Sequence, residues 1–311
     1  MCFGKLFYSL LASNFVVAMR SNAQFSVKKA LACCLGAALL VSSCSARPEE
    51  KATPTYPSKT ATEAVAVLPA STDTVPAPDS LHWYVYLTFD DGPQHGTSNC
   101  IRVCTTEQAK ASFFMVGLHA AKWPAGRSLI DTIRQGQPQF LLANHSYSHA
   151  RNHYRYFYQH PDSALADFNQ AEKILQPNYR IARLPGNNAW SIQHNERSHH
   201  LVASVLHKLD SIGYDVIGWD LEWNFRHTNS RPVQIPDTLA ARTLQLLREG
   251  KTRQPRHLVL LMHDRMFAKP EDAASLQRYL QLLKAEPGMV FETIDHYPGV
   301  AKLPPASAHP F

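Results

Sequence analysis

Seven short apolar runs, separated by segments with helical periodicity, constrain the fold of this chain more than any other feature of its sequence. The most apolar runs cover residues 83–89 (WYVYLTF), 111–116 (ASFFMV) and 257–262 (HLVLLM). Runs of this length that are rich in aromatic and β-branched residues predict strands buried on both faces. The remaining predicted strands cover residues 139–143, 180–183, 215–219 and 289–293.

Helices are predicted between these strands, at residues 100–110, 128–135, 162–175, 199–212, 236–249 and 273–285. Pro161 stands at the start of one helix, and Gly213 and Gly250 follow the ends of two others, which is typical of helix boundaries. Strands that alternate with helices indicate a parallel sheet in an α/β fold. Since no internal repeat is visible, we expect one domain over residues 81–303, with a short tail over 304–311.

Residues 1–44 have the features of a signal segment. Two lysines precede an apolar run at 30–41 that is too short to span a membrane as a permanent helix. The sequence VSSC that ends at Cys44 resembles the lipobox of bacterial lipoproteins, in which the cysteine is acylated and becomes the mature N-terminus. We therefore expect a lipid anchor on Cys44, and a secretory signal cleaved after Ala46 is the alternative. Translation from Met19 would give a signal of ordinary length.

Residues 45–80 are predicted to form a disordered tether. They hold six prolines, no glycine and one aromatic residue, Tyr56, so they cannot bury enough apolar surface to fold. Together with the lipid anchor, this composition predicts an exported domain attached to a membrane of the cell envelope, facing the periplasm or the outside. The net charge is +6, but no run of Lys and Arg occurs in residues 81–311, which disfavours nucleic acid as a partner.

Polar residues that could bind a metal ion or take part in catalysis follow five of the predicted strands. Parallel α/β folds place their reacting groups at the carboxyl ends of the strands, so we expect these residues to lie close together. The five groups are Asp90-Asp91-Gly92-Pro93, Asn144 to His149, Arg183-Leu184-Pro185-Gly186, Asp220-Leu221-Glu222-Trp223 and His263-Asp264.

The spacing of His145 and His149 predicts a metal site. If this segment is helical, residues four apart lie on one face, and a carboxylate from elsewhere completes a three-ligand site. Three protein ligands leave positions open for water and substrate, which is typical of a catalytic metal. The adjacent carboxylates of Asp90 and Asp91 repel each other unless a cation lies between them or one is protonated. Taken alone, the histidine pair is more typical of a solvated helix face, and Asp-Asp-Gly-Pro is more typical of a turn.

These motifs resemble those of a known family. Residues 88–93 (TFDDGP) are identical to the first motif of the polysaccharide deacetylases, carbohydrate esterase family four, which share the NodB-homology domain. Residues 110–117 (KASFFMVG) resemble the second strand of that family, and residues 144–149, 183–185 and 261–264 resemble three later motifs. Their order and spacing match over roughly residues 83–295.

The resemblance implies a distorted (β/α) barrel and a hydrolase that removes acetyl groups from polysaccharide by attack of metal-activated water. It implies that Asp91, His145 and His149 bind one divalent metal ion, zinc in the first place and otherwise cobalt or nickel. The implied substrate is an acetylated polysaccharide outside the cytoplasm.

The resemblance also assigns roles to four further residues. Asp90 is the implied general base and His263 the implied general acid, while Arg183 pairs with Asp90 and keeps it ionised. Gly186, which follows Pro185, is expected to offer its backbone N–H to the oxyanion. The family commonly has an aromatic residue at that position, so we expect a more open pocket, or one filled by Asn187, Asn188 and Trp190.

The fourth motif departs from the family pattern Asp-x-x-Asp-Trp, since this chain has Asp220-Leu221-Glu222-Trp223, shorter by one residue. Either Asp220 or Glu222 could therefore orient His263. Trp223 or Trp219 could supply the apolar wall for the acetyl methyl group. Trp223 is the better candidate, because Trp219 ends an apolar strand and is expected to pack in the core.

Three functions are compatible with these motifs. The first is an amidase that removes N-acetyl groups from glycans such as peptidoglycan or chitin-like oligomers. The second is an esterase that removes O-acetyl groups from xylan-like chains. The third is a surface glycan-binding module without catalysis, which has no need of Asp90 and His263.

Overall fold

The computed structural model of the protein describes residues 82–305. The predicted signal segment, the predicted tether and residues 306–311 of the predicted tail lie outside this range. Within the range, no helix has both the length and the apolar character that crossing a membrane requires. The domain limits at residues 81 and 303 stay predictions.

The strands of the described region form one sheet. In sheet order they are β6-β5-β7-β4-β3-β2-β1-β9-β8, and β10 pairs with β1 beside β2. The pairings are parallel, except that β5 runs antiparallel to both β6 and β7. The strands are β1 (Trp83–Asp90), β2 (Ala111–Met115), β3 (Phe140–Asn144), β4 (Ile181–Ala182), β5 (Trp190–Ile192), β6 (Asn195–Arg197), β7 (Asp215–Val216), β8 (Leu221–Glu222), β9 (His257–His263) and β10 (Met289–Phe291).

Helices connect most of these strands, so the described region folds as a distorted (β/α) barrel, as the family resemblance implies. Four of the longer helices begin with a proline at their first position, where its missing N–H is harmless. The helices are α1 (Thr97–Thr106), α2 (Gly117–Lys122), α3 (Pro124–Gln135), α4 (Tyr154–Gln159), α5 (Pro161–Leu175), α6 (Ala203–Ser211), α7 (Pro236–Arg248) and α8 (Pro270–Lys284).

The alternation of side chains along β1 divides the core into two layers. Val85, Leu87 and Phe89 pack in the large cluster between the sheet and the helices. Tyr86 belongs to a second cluster on the inner side of the sheet, and successive side chains of a strand point to opposite faces, so Asp90 shares that inner face. The register of β1 with β9 then sets His263 directly beside Asp90.

Several elements differ from the sequence prediction. The strand predicted at 215–219 is limited to Asp215–Val216, and the helix predicted at 199–212 begins only at Ala203. The short elements α2, α4, β5, β6 and β8 were not predicted. They are two to six residues long, which is too short for hydrophobic periodicity to identify them.

Candidate active site and metal centre

A cavity of about 510 Å³ opens where the parallel strands end. Its walls come from the ends of β1 and β9, from β8, and from the segments that follow β3, β4 and β7. The sequence-predicted residues that line it are Asp90, Asp91, His145, His149, Gly186, Glu222 and His263.

Asp91, His145 and His149 form the predicted metal-binding group. Their ligand atoms all lie within 4.8 Å of one another. Within residues 82–305, these three residues form the group of His, Cys, Asp or Glu side chains that could hold one metal ion. Oδ1 of Asp91 lies 3.0 Å from Nε2 of His149 and 3.5 Å from Nε2 of His145. That oxygen is buried and, among the residues that the structure describes, has no hydrogen bond of acceptable geometry, which leaves it available to a cation.

The electrostatics of this group show how strongly it favours positive charge. Burial acts to raise the pKa of Asp91, but contacts with the two histidines outweigh it and hold the pKa well below the usual range. Burial acts to lower the pKa of His145, and the carboxylates of Asp90 and Asp91 outweigh it and raise the pKa. A divalent cation can take the place of this proton, since metal binding releases protons from its ligands.

Neighbouring groups fix the orientation of the first two ligands. Nδ1 of His145 lies 3.0 Å from the carbonyl oxygen of Arg183 and donates to it, which leaves the Nε2 lone pair facing Asp91. Arg265 donates from Nη2 to Oδ2 of Asp91 at 3.0 Å, so Oδ1 is the oxygen that remains for a metal. Arg265 was not predicted from the sequence, although it follows His263 and Asp264 at the end of β9.

The expectation that His145 and His149 share a helix face is wrong. After Asn144 the chain leaves β3, and Ser146 and the four residues from His149 to Asn152 all have positive φ. Left-handed backbone costs roughly 1–2 kcal/mol for each residue with a side chain, and such strain concentrates at functional sites. The two imidazoles therefore meet through a strained loop, with their ring centroids 5.1 Å apart.

Asp90 and Arg183 form a buried ion pair beside the metal-binding group. Nη1 of Arg183 donates to Oδ1 of Asp90 at 2.8 Å, and both side chains are at most 3% exposed. Burial lowers the pKa of Arg183, although the nearby carboxylate of Asp90 opposes this shift. Oδ2 of Asp90 is the oxygen turned to the metal-binding group, 3.6 Å from Nε2 of His145.

His263 lies at the end of β9, and its ring packs edge-on against Phe225 with a centroid distance of 4.9 Å. Its side chain faces the N–H of Met266, but within residues 82–305 the buried Nδ1 has no partner at hydrogen-bond distance and angle. Burial lowers the pKa of His263, and the carboxylates of Asp91 and Asp90 oppose the shift.

Neither candidate carboxylate is hydrogen-bonded to His263. Asp220 accepts the backbone N–H groups of Arg253 and Val259 at 2.7 and 2.8 Å, so it holds the start of β9 and does not line the cavity. Its assignment to the substrate pocket is therefore wrong. Glu222 does line the cavity, where burial and then the charge of Asp90 raise its pKa.

The two tryptophans exchange the positions predicted for them. Trp223 is fully buried in the core, where its ring packs against Phe267 and Tyr279 and its Nε1 donates to the carbonyl of Gln234. The expectation that it forms the acetyl pocket is wrong. Trp219 lines the cavity instead, since β7 ends three residues before it at Val216.

The space beside Gly186 is filled by a residue that the sequence did not suggest. A Cβ atom at Gly186 would lie 3.1 Å from the ring of Tyr154, which lines the cavity. Two of the residues expected to fill it are engaged elsewhere: Trp190 is buried in the core, and Asn188 bonds the backbone of Trp219 from both ends of its amide.

Comparison with known proteins supports the resemblance. The family model for polysaccharide deacetylase matches residues 80–194, a range that contains Asp90, the predicted metal-binding group and Arg183. Over this range the chain is similar to the polysaccharide deacetylases. His263 lies beyond the matched range, and the register of β9 with β1 places it beside Asp90.

The similarity to individual relatives is distant. YheN of Bacillus subtilis is 28% identical over 188 residues, which cover 58% of this chain and 57% of that protein. The peptidoglycan-N-acetylglucosamine deacetylase of Bacillus cereus is 26% identical over 226 residues, which cover 68% of this chain and 71% of that protein. The crystal structure of the catalytic domain of a peptidoglycan N-acetylglucosamine deacetylase from Eubacterium rectale gives a TM-score of 0.49 at 20% identity, covering 73% of this chain and 94% of that one.

Proposed function

We propose that this chain is a polysaccharide deacetylase, a metal-dependent hydrolase that removes N-acetyl groups from a cell-wall or extracellular polysaccharide. One observation carries the proposal: a single cavity is lined by three side chains that could ligate a metal ion, by His263 and by Asp90, which forms a buried ion pair with Arg183. The relative from Bacillus cereus, named for its action on peptidoglycan N-acetylglucosamine, supports an amide substrate. A module that only binds glycan would gain nothing from a carboxylate buried with its own arginine.

The residues present fit a divalent metal ion. Asp91, His145 and His149 would hold it, and one carboxylate with two imidazoles suits Zn²⁺ as well as Co²⁺ or Ni²⁺. When bound, the ion supplies a Lewis acid for the acetyl carbonyl and lowers the pKa of water towards neutrality.

The side chains of the cavity then divide the proton transfers between them. Oδ1 of Asp90 is occupied by Arg183, so Oδ2 is free to accept a proton from the attacking water. His263 stands one strand away and donates a proton to the departing amine. The backbone N–H of Gly186 meets the oxyanion, a kind of donor worth roughly 3 kcal/mol in comparable sites. Trp219 offers the apolar wall for the acetyl methyl group.

Acetate release tests this proposal. The full chain should release acetate from peptidoglycan or chitin oligosaccharides, lose this activity in EDTA and regain it with Zn²⁺. Asp90→Asn, which preserves the shape of the side chain, should abolish turnover while zinc still binds. Release from acetylated xylan alone would favour the O-acetyl esterase. Glycan binding that survives EDTA, with no acetate from any substrate, would overturn the hydrolase.

We also propose that the chain is exported and anchored to a membrane of the cell envelope through a lipid on Cys44. The support is the apolar run at 30–41, the lipobox-like ending and the proline-rich residues 45–80. Expression with a radiolabelled fatty acid tests this directly. The wild type should carry label in the membrane fraction, and Cys44→Ser should not. Soluble, unlabelled wild type cleaved after Ala46 would show a plain secretory signal.

A further inference from the structure

Tyr154 contacts both His149 of the predicted metal-binding group and the turn at Gly186, and no motif assigns it a role. It is the first residue of α4, its ring lines the cavity, and it meets the imidazole of His149 edge-on with a centroid distance of 5.7 Å. Its hydroxyl lies 3.4 Å from Nδ1 of His149 and 3.4 Å from Oδ1 of Asn152.

We propose that Tyr154 is a positioning residue for the metal ligand His149, an inference that rests on the metal centre of the proposed function. A neutral imidazole that gives its Nε2 lone pair to a metal carries its remaining proton on Nδ1. Nδ1 of His149 therefore donates to the Tyr154 oxygen, and the Tyr154 hydroxyl donates to Oδ1 of Asn152. This chain of donors selects the tautomer that binds metal, as the Arg183 carbonyl does for His145.

His149 depends on such a contact more than His145 does. The side chain of His145 is 2% exposed and its Nδ1 bonds a backbone carbonyl, so its ring is held by the fold itself. The side chain of His149 is 19% exposed, and its own backbone lies in the left-handed run that continues to Asn152. Within the described region, the hydroxyl of Tyr154 is the hydrogen-bond partner of Nδ1 of His149.

The same ring also packs on the backbone of Gly186. An added Cβ there would lie 3.1 to 3.4 Å from three ring atoms of Tyr154, and φ at Gly186 is +65°. The Tyr154 ring therefore lies between His149 and the turn at Gly186, whose N–H is expected to donate to the oxyanion. One side chain therefore sets the distance between these two parts of the site.

Zinc affinity of Tyr154→Phe tests the inference without reference to activity. The variant keeps the ring and removes only the hydroxyl, so Nδ1 of His149 loses its acceptor. Tyr156→Phe is the matched control, since Tyr156 lies on the same helix but is 66% exposed and packs against His160 in a tilted arrangement. We expect zinc to bind about tenfold more weakly to Tyr154→Phe, the lower end of the effect usual for such outer partners. Tyr156→Phe should bind zinc like the wild type.

The measurement uses the full chain, stripped with EDTA and titrated with Zn²⁺ against a chromophoric chelator. Thermal unfolding in EDTA should give the same midpoint for all three proteins, which separates metal binding from folding. Equal zinc affinity in Tyr154→Phe and the wild type would overturn the inference, and so would an equal loss in both variants. A wild type without zinc affinity would overturn the metal centre itself. Zinc binding without acetate release would overturn the proposed reaction and leave the role of Tyr154 intact.

Discussion

Replacing Arg183 by methionine should destabilise the domain strongly, because its guanidinium joins three parts of the barrel interior. It is fully buried and donates to Oδ1 of Asp90 at 2.8 Å and to Oγ1 of Thr88 at 2.7 Å. It also donates to the backbone carbonyls of Ile217 at 3.0 Å and Gly218 at 2.8 Å. Methionine fills much of the same volume but leaves these four acceptors without their donors.

The magnitude follows from the carboxylate left behind. Removing one partner of a buried ion pair costs about 3–5 kcal/mol, since the other charge stays buried without compensation. The free energy of unfolding should therefore fall by about that amount. In a domain of this size each kcal/mol lowers the midpoint of thermal unfolding by roughly 2–4 °C, so a decrease of about 6–20 °C is expected.

A double-mutant cycle in urea, followed by circular dichroism, tests the origin of this cost. Asp90→Asn in the Arg183→Met background removes the stranded charge and should restore part of the lost stability. Arg248→Met is the control, since Arg248 pairs with Glu286 at the surface and should contribute at most about 1 kcal/mol. The reasoning fails if Arg183→Met costs no more than this control, or if Asp90→Asn restores nothing.

Three further predictions concern other residues of the site. His263→Gln should reduce acetate release from amides more than from esters, because an amine leaves only with a proton; equal losses would argue against an acid role. Trp219→Ala should raise KM with little change in unfolding, whereas Trp223→Ala should cost about 3–5 kcal/mol in urea denaturation, and the reverse would contradict the cavity wall. Burial raises the pKa of Asp264 to about 7, whereas in the unfolded chain it is about 4. Between these two pH values the Asp264 carboxyl is protonated in the folded protein and ionised in the unfolded chain. In EDTA, stability should therefore fall between pH 4 and 7 by up to about 1.4 kcal/mol per unit, and Asp264→Asn should flatten this fall; an unchanged slope would place the titration elsewhere.

The strands and the residues that follow them could be predicted from the sequence because both signals are local. A run such as residues 83–89 identifies its own strand, and parallel pairing brings the ends of such strands to one edge. Asp90 and His263 therefore meet as expected, since β1 and β9 are neighbours in register. The contact between Asp90 and Arg183 was implied by the family resemblance, since β4 is not a neighbour of β1 in the sheet.

The details that failed depend on short elements and on backbone shape. β8 is only two residues long, and its alternation turns Glu222 into the cavity and Trp223 into the core. The left-handed run from His149 to Asn152 contains no glycine that could have marked it. The place of Tyr154 depends on that run, so its approach to His149 could not be foreseen.

The position of β9 in the sheet has a consequence for how the chain matures. β9 is the neighbour of β1 along nearly its full length, yet bonded residues such as Thr88 and Leu260 are 172 positions apart in the chain. Pairings so distant in sequence form slowly, because the entropy cost of closing a long loop precedes the stabilising contacts. Until the last third of the polypeptide is present, β1 lacks this neighbour and the cavity lacks His263. If the chain crosses a membrane unfolded, its reaction centre can be completed only after translocation, from whatever metal the destination compartment supplies.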